Sequence, residues 1–119
     1  MKYSELVVWQ KAMDLVTEIY KITATFPGEE RFGLSSQARR AAVSIPSNIA
    51  EGHGRKSTGA YINHLSIAYG SLMELETQIQ IALRLHFVGT DETSTVLAQT
   101  NEIGKMLSGL KKSLTGKEE

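Results

Sequence analysis

The chain has 119 residues, of which 41% are apolar and 22% are charged, and its 13 Lys and Arg residues balance 13 Asp and Glu residues. These values are typical of one globular domain and exclude a disordered chain, while the lack of cysteine excludes disulfides, thiolate metal sites and cysteine nucleophiles. A net charge of zero also removes the simplest argument for nucleic-acid binding, which is an overall positive charge.

The first predicted helix covers residues 4–26. Ser4 is placed to cap it, and Pro27-Gly28 follows as a stop signal. Apolar residues repeat in two adjacent rows at helical spacing: Trp9, Met13, Val16 and Tyr20, and Leu15, Ile19, Ile22 and Phe26. Two rows predict an apolar face that is broader than a coiled-coil seam.

The second predicted helix covers residues 35–51 and is followed by Gly52 and Gly54, which are stop signals. Its inner positions carry small residues, which allow a neighbouring helix to approach closely. Pro46 lies inside this helix and removes one backbone hydrogen bond, so we expect a kink. The alternative is a break at this point, with Ser44 capping a second short helix.

A polar row follows one face of the second segment. Its members are Arg40, Ser44, Asn48, Glu51 and Arg55, spaced by four, four, three and four residues. The third segment offers a polar face of its own, made of Ser71, Glu74 and Gln78. One interpretation is a half-buried polar seam in which Arg40 or Arg55 pairs with Glu74 or Glu51. The other is a pocket or a partner site.

The third predicted helix is the longest and covers residues 58–87. Its apolar row alternates spacings of four and three: Tyr61, Leu65, Ala68, Leu72, Leu75, Ile79, Ala82 and His86. Towards its end, apolar residues cover most of the circumference, including Ile81 and Leu85. A helix that is apolar all round must be buried on more than one side, which favours self-association.

The fourth predicted helix is capped by Thr90 and begins with the acidic Asp91 and Glu92. Its inner row is Val96, Ile103, Leu107, Leu110 and Leu114. Residues 115–119 are expected to form a frayed tail. No segment alternates with period two, so the sequence predicts an all-α domain over residues 1–119, folded as an antiparallel up-down-up-down four-helix bundle.

The positive charges concentrate in the middle of the chain. Residues 31–65 contain five Arg and Lys residues against Glu51 alone, whereas the flanking parts are slightly acidic. This cluster is either solvated surface with acidic neighbours or a site for an anionic partner.

The spacings that most catalytic or metal sites need are absent, so we expect no enzyme, no cofactor and no bound metal. Glu51 and His53 lie two residues apart and therefore on different helix faces, and His53, His64 and His86 provide no pair of ligands four residues apart. The chain starts directly with an amphipathic segment, and its apolar runs are shorter than the roughly 20 residues that span a bilayer. We therefore expect a cytoplasmic protein with no membrane partner.

Residues 34–52 read LSSQARRAAVSIPSNIAEG, residues 8–12 read VWQKA and residues 68–76 read AYGSLMELE. These runs resemble the bacterial four helix bundle protein family, whose members are encoded in 23S rRNA intervening sequences. That family also includes the accessory variability determinant proteins of diversity-generating retroelements. The resemblance covers residues 4–114.

The resemblance implies a homo-pentamer, in which five antiparallel bundles form a ring around a central channel, and it implies no known catalysis. In the retroelement members, the ring looks like a scaffold that binds reverse transcriptase and structured RNA through basic surface. Carried over to this chain, the nucleic-acid contacts would be Arg39, Arg40, Arg55 and Lys56. The leading hypothesis is a non-enzymatic scaffold for structured RNA or a ribonucleoprotein. The alternative is a protein–protein adaptor without a nucleic-acid role.

Overall fold

The computed structural model describes the backbone of residues 1–118 and the side chains of residues 1–116. This part of the chain forms four α-helices and contains no strand, as the sequence predicts. The helices are α1 (Val7–Thr23), α2 (Leu34–His53), α3 (Thr58–Arg84) and α4 (Thr90–Glu118). Two short 3-10 turns, Tyr3–Glu5 and Gly28–Glu30, precede α1 and α2.

Each helix packs against the next, and α4 also contacts α1, so that the four helices enclose one core. The α2–α3 pair runs antiparallel, because residues later in α2 meet residues earlier in α3: Ser44 contacts Ser71, whereas Asn48 contacts His64. The same order holds between α1 and α2, where Arg39 reaches Thr23 and Ala50 lies near Trp9. The result is an elongated bundle with extents of 48 × 23 × 20 Å.

The apolar row of α3 forms the centre of the core. Its six middle members, from Leu65 to Ala82, are fully buried, and the predicted inner row of α4 is buried or half-buried. The inner side of α2 includes three alanines, Ala38, Ala41 and Ala42, beside the larger Ile45 and Ile49. The heptad-like spacing thus places one continuous stripe of α3 against the other helices.

The start of α1 differs from the prediction. Ser4 does not cap the helix, because it lies inside the 3-10 turn that precedes Leu6, and Leu6 is extended with a φ of −70° and a ψ of 127°. The backbone carbonyl of Ser4 instead accepts a hydrogen bond of 3.0 Å from the Gln10 side chain. The helix begins at Val7, three residues later than expected.

Pro46 does not break α2, which continues as one helix to His53. The alternative of a second helix capped by Ser44 is therefore wrong. The Ser44 hydroxyl faces α3, where it hydrogen bonds to the hydroxyl of Ser71 at 2.9 Å. The ring of Pro46 is buried in the bundle, so its packing compensates for part of the stabilisation lost with the missing backbone hydrogen bond.

The end of α3 comes three residues earlier than predicted, at Arg84. His86 has a φ of 63°, and its N–H donates to the Leu83 carbonyl at 3.0 Å while the Phe87 N–H donates to the Ala82 carbonyl at 2.9 Å. These two hydrogen bonds form a Schellman motif, with histidine at the left-handed position that glycine usually occupies. His86 is therefore exposed beyond the helix and does not complete the buried row.

The last helix begins at Thr90, with Gly89 in the cap position that the sequence assigns to Thr90. It continues to Glu118, whereas the sequence predicts fraying from residue 115; residue 119 lies outside the described part. Leu114 is buried against the core, and the Thr115 hydroxyl donates to the Lys111 carbonyl at 2.9 Å. These contacts hold the helix beyond the expected end.

Candidate functional site

The four basic residues assigned to nucleic-acid binding fall into two separate pairs. Arg39 and Arg40 lie in the second turn of α2, whereas Arg55 and Lys56 lie in the connection after its C-terminal end. Sixteen positions separate Arg39 from Arg55, which is about 24 Å at roughly 1.5 Å per residue of helix. The structure therefore places one pair near each end of α2.

Arg39 is held by contacts within the chain. Its Nε donates to the Thr23 hydroxyl at 2.8 Å, and its Nη2 donates to the Tyr20 carbonyl at 3.3 Å. The guanidinium also lies over the Tyr20 ring, 4.5 Å from the centroid. Together these contacts join α2 to the C-terminal end of α1 and fix the orientation of the guanidinium.

In the second pair, one residue has a partner within the chain and the other has none among the described residues. Arg55 forms an exposed ion pair of 2.8 Å with Glu51, four residues earlier. An exposed pair of this kind contributes little to stability. Lys56 is exposed and makes no ion pair or hydrogen bond to the side chains described here. Of the four candidates, Arg40 and Lys56 therefore have no partner among the described residues.

The polar row of α2 meets α3 in a chain of hydrogen bonds, which we name the α2–α3 seam. The Asn48 amide donates to the Ser44 carbonyl at 2.9 Å and to its hydroxyl at 3.1 Å, and the Ser44 hydroxyl contacts the hydroxyl of Ser71. The Asn48 Oδ1 lies 3.0 Å from Nδ1 of His64. Because an amide oxygen only accepts, His64 carries a proton on Nδ1.

The expected ion pair between Arg40 and Glu74 is not formed. Glu74 instead accepts a hydrogen bond of 3.2 Å from Gln78, one turn later on α3. Arg40 lines the same shallow cleft between α2 and α3 but remains exposed. Gln78 is 6% exposed, and its Oε1 has no hydrogen-bond partner among the described residues.

One glycine sets the distance between α2 and α3. A Cβ on Gly52 would lie 2.7 Å from the His64 Cβ and 3.3 Å from the Tyr61 carbonyl oxygen. The same end of the seam holds an edge-to-face contact between the rings of His53 and Tyr61, with centroids 5.7 Å apart. Burial raises the pKa of the Tyr61 hydroxyl, so this side chain is neutral at physiological pH.

Beside the seam, the surface of α2 is open towards α1. An open cleft of about 610 Å³ lies there, which we name the arginine–aromatic cleft. It is lined by Tyr20, Arg31, Phe32, Ser36, Arg39, Arg40, Val43 and Ser44. Three lining residues are arginines, two are aromatic and none is acidic.

Apolar side chains remain exposed on two different faces. We name the first the α1–α2 patch, made of Met13, Tyr20 and Val43, with the half-buried Trp9 and Val16 beside it. We name the second the α3 stripe, made of Ile67, Ile81 and Leu85. The sequence predicts Met13 and Tyr20 on the apolar face of the first helix, but of its two rows only the one from Leu15 to Phe26 is buried.

The described side chains contain no group of three His, Asp or Glu residues close enough to hold a metal ion. No helix formed by residues 1–118 combines the length and the apolarity that a membrane crossing needs.

Comparison with protein families connects this architecture to a known group. The model of the 23S rRNA-intervening sequence protein family matches residues 4–109. The chain belongs to this family. The match includes all of α2 and α3 and most of α4, and it confirms the family that the resemblance suggests.

A solved structure shows the same fold. The chain superposes with a TM-score of 0.83 and 26% identity on a crystal structure from Bacteroides thetaiotaomicron, described as a protein with unknown function from the S23 ribosomal protein family. The alignment covers 94% of this chain and 99% of that one. No curated protein matches the chain.

Sequence reasoning missed three residues of the arginine–aromatic cleft. Arg31 and Phe32 lie in the connection between α1 and α2, where no periodic pattern indicates which surface a side chain joins. The helical spacing predicts Tyr20 on the apolar face of the first helix, yet it is 44% exposed and supports Arg39. The available signal was the Arg-Phe pair shortly before an arginine-containing helix, at positions 31 and 32.

Proposed function

We propose that this member of the family is a non-enzymatic, cytoplasmic scaffold that assembles as a homo-pentamer and binds structured RNA or a ribonucleoprotein through the basic surface of α2. The observation that carries the assembly is the presence of two exposed apolar surfaces on one subunit. The α1–α2 patch and the α3 stripe lie on the two flanks of the outer face of α2, since Val43 borders the cleft towards α1 and Ile81 the cleft towards α3, with Arg40 between the two clefts.

Two different surfaces favour a ring over a simple dimer. In a two-fold dimer one patch meets its own copy, whereas a head-to-tail contact joins one surface to another and generates a ring when the rotation closes. Leu85 is 52% exposed and Val43 is 41% exposed, so each patch has apolar area that association removes from water. The number of five subunits is carried over from the resemblance.

The basic residues support RNA binding through repetition. One subunit offers few unpaired cations, because Arg39 and Arg55 already have partners. Five copies on one rim act together on one RNA, since binding by the first copy raises the effective concentration at the next. Such binding releases counterions and therefore weakens steeply as salt increases.

The protein–protein adaptor is the second candidate. It is favoured by the same internal contacts of Arg39 and Arg55, because cations that serve the fold leave fewer groups for phosphates. An adaptor shows no salt-sensitive affinity for RNA, so the two candidates differ in one measurement.

Light scattering tests the assembly. We expect the mass of five subunits at micromolar concentration, and we expect Val43→Glu and Leu85→Glu each to reduce it. Val7→Glu is the matched control, because Val7 is also exposed but lies one turn before Lys11, on the side of α1 that pairs with Glu102 of α4. A monomeric wild-type protein contradicts the assembly.

A structured rRNA fragment tests the ligand. Charge reversal of Arg39, Arg40, Arg55 and Lys56 to Glu is expected to abolish binding at low salt. The control reverses Lys21, Lys105, Lys111 and Lys112, which produces the same change in net charge elsewhere on the chain. Equal losses for both variants mean that total charge rather than the α2 surface determines binding. A wild-type protein with no RNA affinity at low salt favours the adaptor.

A further inference from the structure

The arginine–aromatic cleft concentrates positive charge that the fold does not neutralise. Arg31, Arg39 and Arg40 line it, no carboxylate among the described side chains lines it, and none of the three arginines forms an ion pair with those side chains. In a chain with zero net charge, three guanidinium groups around one opening produce a local positive potential. The cleft is therefore complementary to an anion.

One of these cations is already oriented. Arg39 uses Nε and one Nη2 hydrogen in its contacts with Thr23 and Tyr20, which leaves three N–H donors of its five. Because its side chain is fixed before any ligand arrives, little conformational entropy is lost when those donors bind an anion. The next residue, Arg40, is exposed and has no partner among the described residues.

The cleft also presents aromatic surface. Phe32 is 87% exposed, the most exposed large apolar side chain among the residues described, and the guanidinium of Arg31 lies 5.3 Å from its ring centroid. Tyr20, across the cleft, is stacked with Arg39 in the same manner. Guanidinium groups and aromatic rings are the side chains on which unpaired nucleic-acid bases stack.

Charge and aromatic surface together select one class of ligand. A fully paired duplex presents phosphates, but its base faces are covered by neighbouring base pairs, so no base face is available to stack on Phe32. An unpaired nucleotide presents both a phosphate and a free base face. A volume of about 610 Å³ lies within the roughly 300–1,000 Å³ of small-molecule sites.

We infer that the arginine–aromatic cleft binds one unpaired RNA nucleotide, whose base stacks on Phe32 and whose phosphate contacts Arg39 and Arg40. This inference rests on the proposed RNA-binding function and makes it more specific. The scaffold then recognises structured RNA at a loop or bulge rather than along a helix, and each subunit holds one such position. Because Tyr20 and Val43 belong both to the cleft and to the α1–α2 patch, the nucleotide lies at the edge of the contact between subunits.

The experiment compares two labelled RNAs of equal length, a hairpin with a single-stranded loop and a blunt duplex, by fluorescence anisotropy at low salt. Phe32→Leu keeps an apolar side chain but removes the ring, and Phe32→Tyr keeps the ring. We expect Phe32→Leu to weaken hairpin binding about tenfold, as loss of one stacked base does, and to leave duplex binding unchanged. Phe32→Tyr is expected to bind the hairpin as the wild type does.

Arg40→Gln provides an independent measurement. Loss of one phosphate contact is expected to weaken both RNAs and to reduce the salt slope by about one. Because Phe32 and Arg40 are exposed, thermal midpoints and light-scattering masses of these variants are expected to match the wild type.

Several outcomes overturn the inference. Equal hairpin affinity for Phe32→Leu and the wild type overturns it while leaving RNA binding intact. If Phe32→Leu weakens the binding of both RNAs, or changes the light-scattering mass, then Phe32 serves the subunit assembly and does not stack on a base. Binding of an acidic peptide in place of the hairpin identifies a protein ligand for the cleft. A wild-type protein that binds neither RNA removes the proposed function itself, and this inference with it.

Discussion

The two sides of α2 are built in opposite ways. Towards α3, Gly52 brings the backbones together, and Ser44, Asn48, His64 and Ser71 satisfy one another in the α2–α3 seam. Towards α1, the helix borders an open cleft with exposed rings and with guanidinium groups that form no ion pair with the described side chains. A helix whose polar groups are satisfied on one side and keep free donors on the other contributes to folding with the first and is available for binding with the second.

This difference explains how α2 can stabilise the bundle with one surface and offer another surface for binding. Along α2, the polar and small positions that face α3 are hydrogen bonded or closely packed, whereas Arg40 and Val43 lie on an outer side that no helix of the described residues covers. Substitutions on the closed side are therefore expected to change stability, and substitutions on the open side to change association or binding. The predictions below test that division.

The largest loss of stability is expected for Gly52→Ala. The added methyl would lie 2.7 Å from the His64 Cβ and 3.3 Å from a backbone carbonyl that cannot rotate away. We expect a loss of about 2 kcal/mol, within the roughly 1–3 kcal/mol of overpacked sites, measured by urea denaturation. Gly70→Ala is the control, because nothing lies near its Cβ position, and it is expected to stabilise α3 by up to about 1 kcal/mol. A neutral Gly52→Ala means that the two helices adjust without cost.

Asn48→Ala tests the hydrogen bonds of the seam. The variant leaves His64 without its amide partner and removes the link to Ser44, so we expect a loss of about 1–1.5 kcal/mol. Asn63→Ala is the matched control, since Asn63 is exposed on α3 and any gain in helix propensity is the same. Comparable stabilities for the two variants mean that water replaces the amide at no cost, and that the seam is less closed than its geometry indicates.

The sequence predicts the closed side better than the open one. Periodicity predicts the buried row of α3 from Leu65 to Ala82, because the apolar residues of a core-facing stripe repeat at the helical period regardless of which helices pack against them. The same period places Met13 and Tyr20 on an apolar face of α1, but spacing does not show that no helix of this chain covers them. Four helices are confirmed, while the ring that would cover those residues stays a prediction.

The candidate site was harder to predict, for a related reason. Arg39 and Arg40 are adjacent in sequence and the sequence predicts one role for both, yet a turn of 100° per residue directs only Arg39 towards Thr23 of α1. No sequence pattern indicates Phe32, since it lies in a connection without a helical period. Contacts between a helix and a distant chain segment depend on the packed arrangement, which a single sequence pattern does not encode.

Arg39→Lys gives the smallest expected effect and tests the one residue of the open side that also serves the fold. Lysine keeps the charge, but its ammonium group lacks the planar guanidinium that donates to the Thr23 hydroxyl and lies over the Tyr20 ring at the same time. We therefore expect the free energy of unfolding, measured by urea denaturation, to fall by about 0.5–1 kcal/mol.

Arg40→Lys is the matched control for that variant, because it makes the same replacement one residue later at an exposed side chain without a partner among the described residues. It is expected to leave the free energy of unfolding unchanged. Equal losses for the two variants mean that arginine is favoured along this part of α2 for helix propensity alone. A loss confined to Arg39→Lys assigns Arg39 to the joint between α1 and α2. In that case Arg39 serves the fold with two of its donors and keeps the other three for a ligand, whereas Arg40 has all of its donors available.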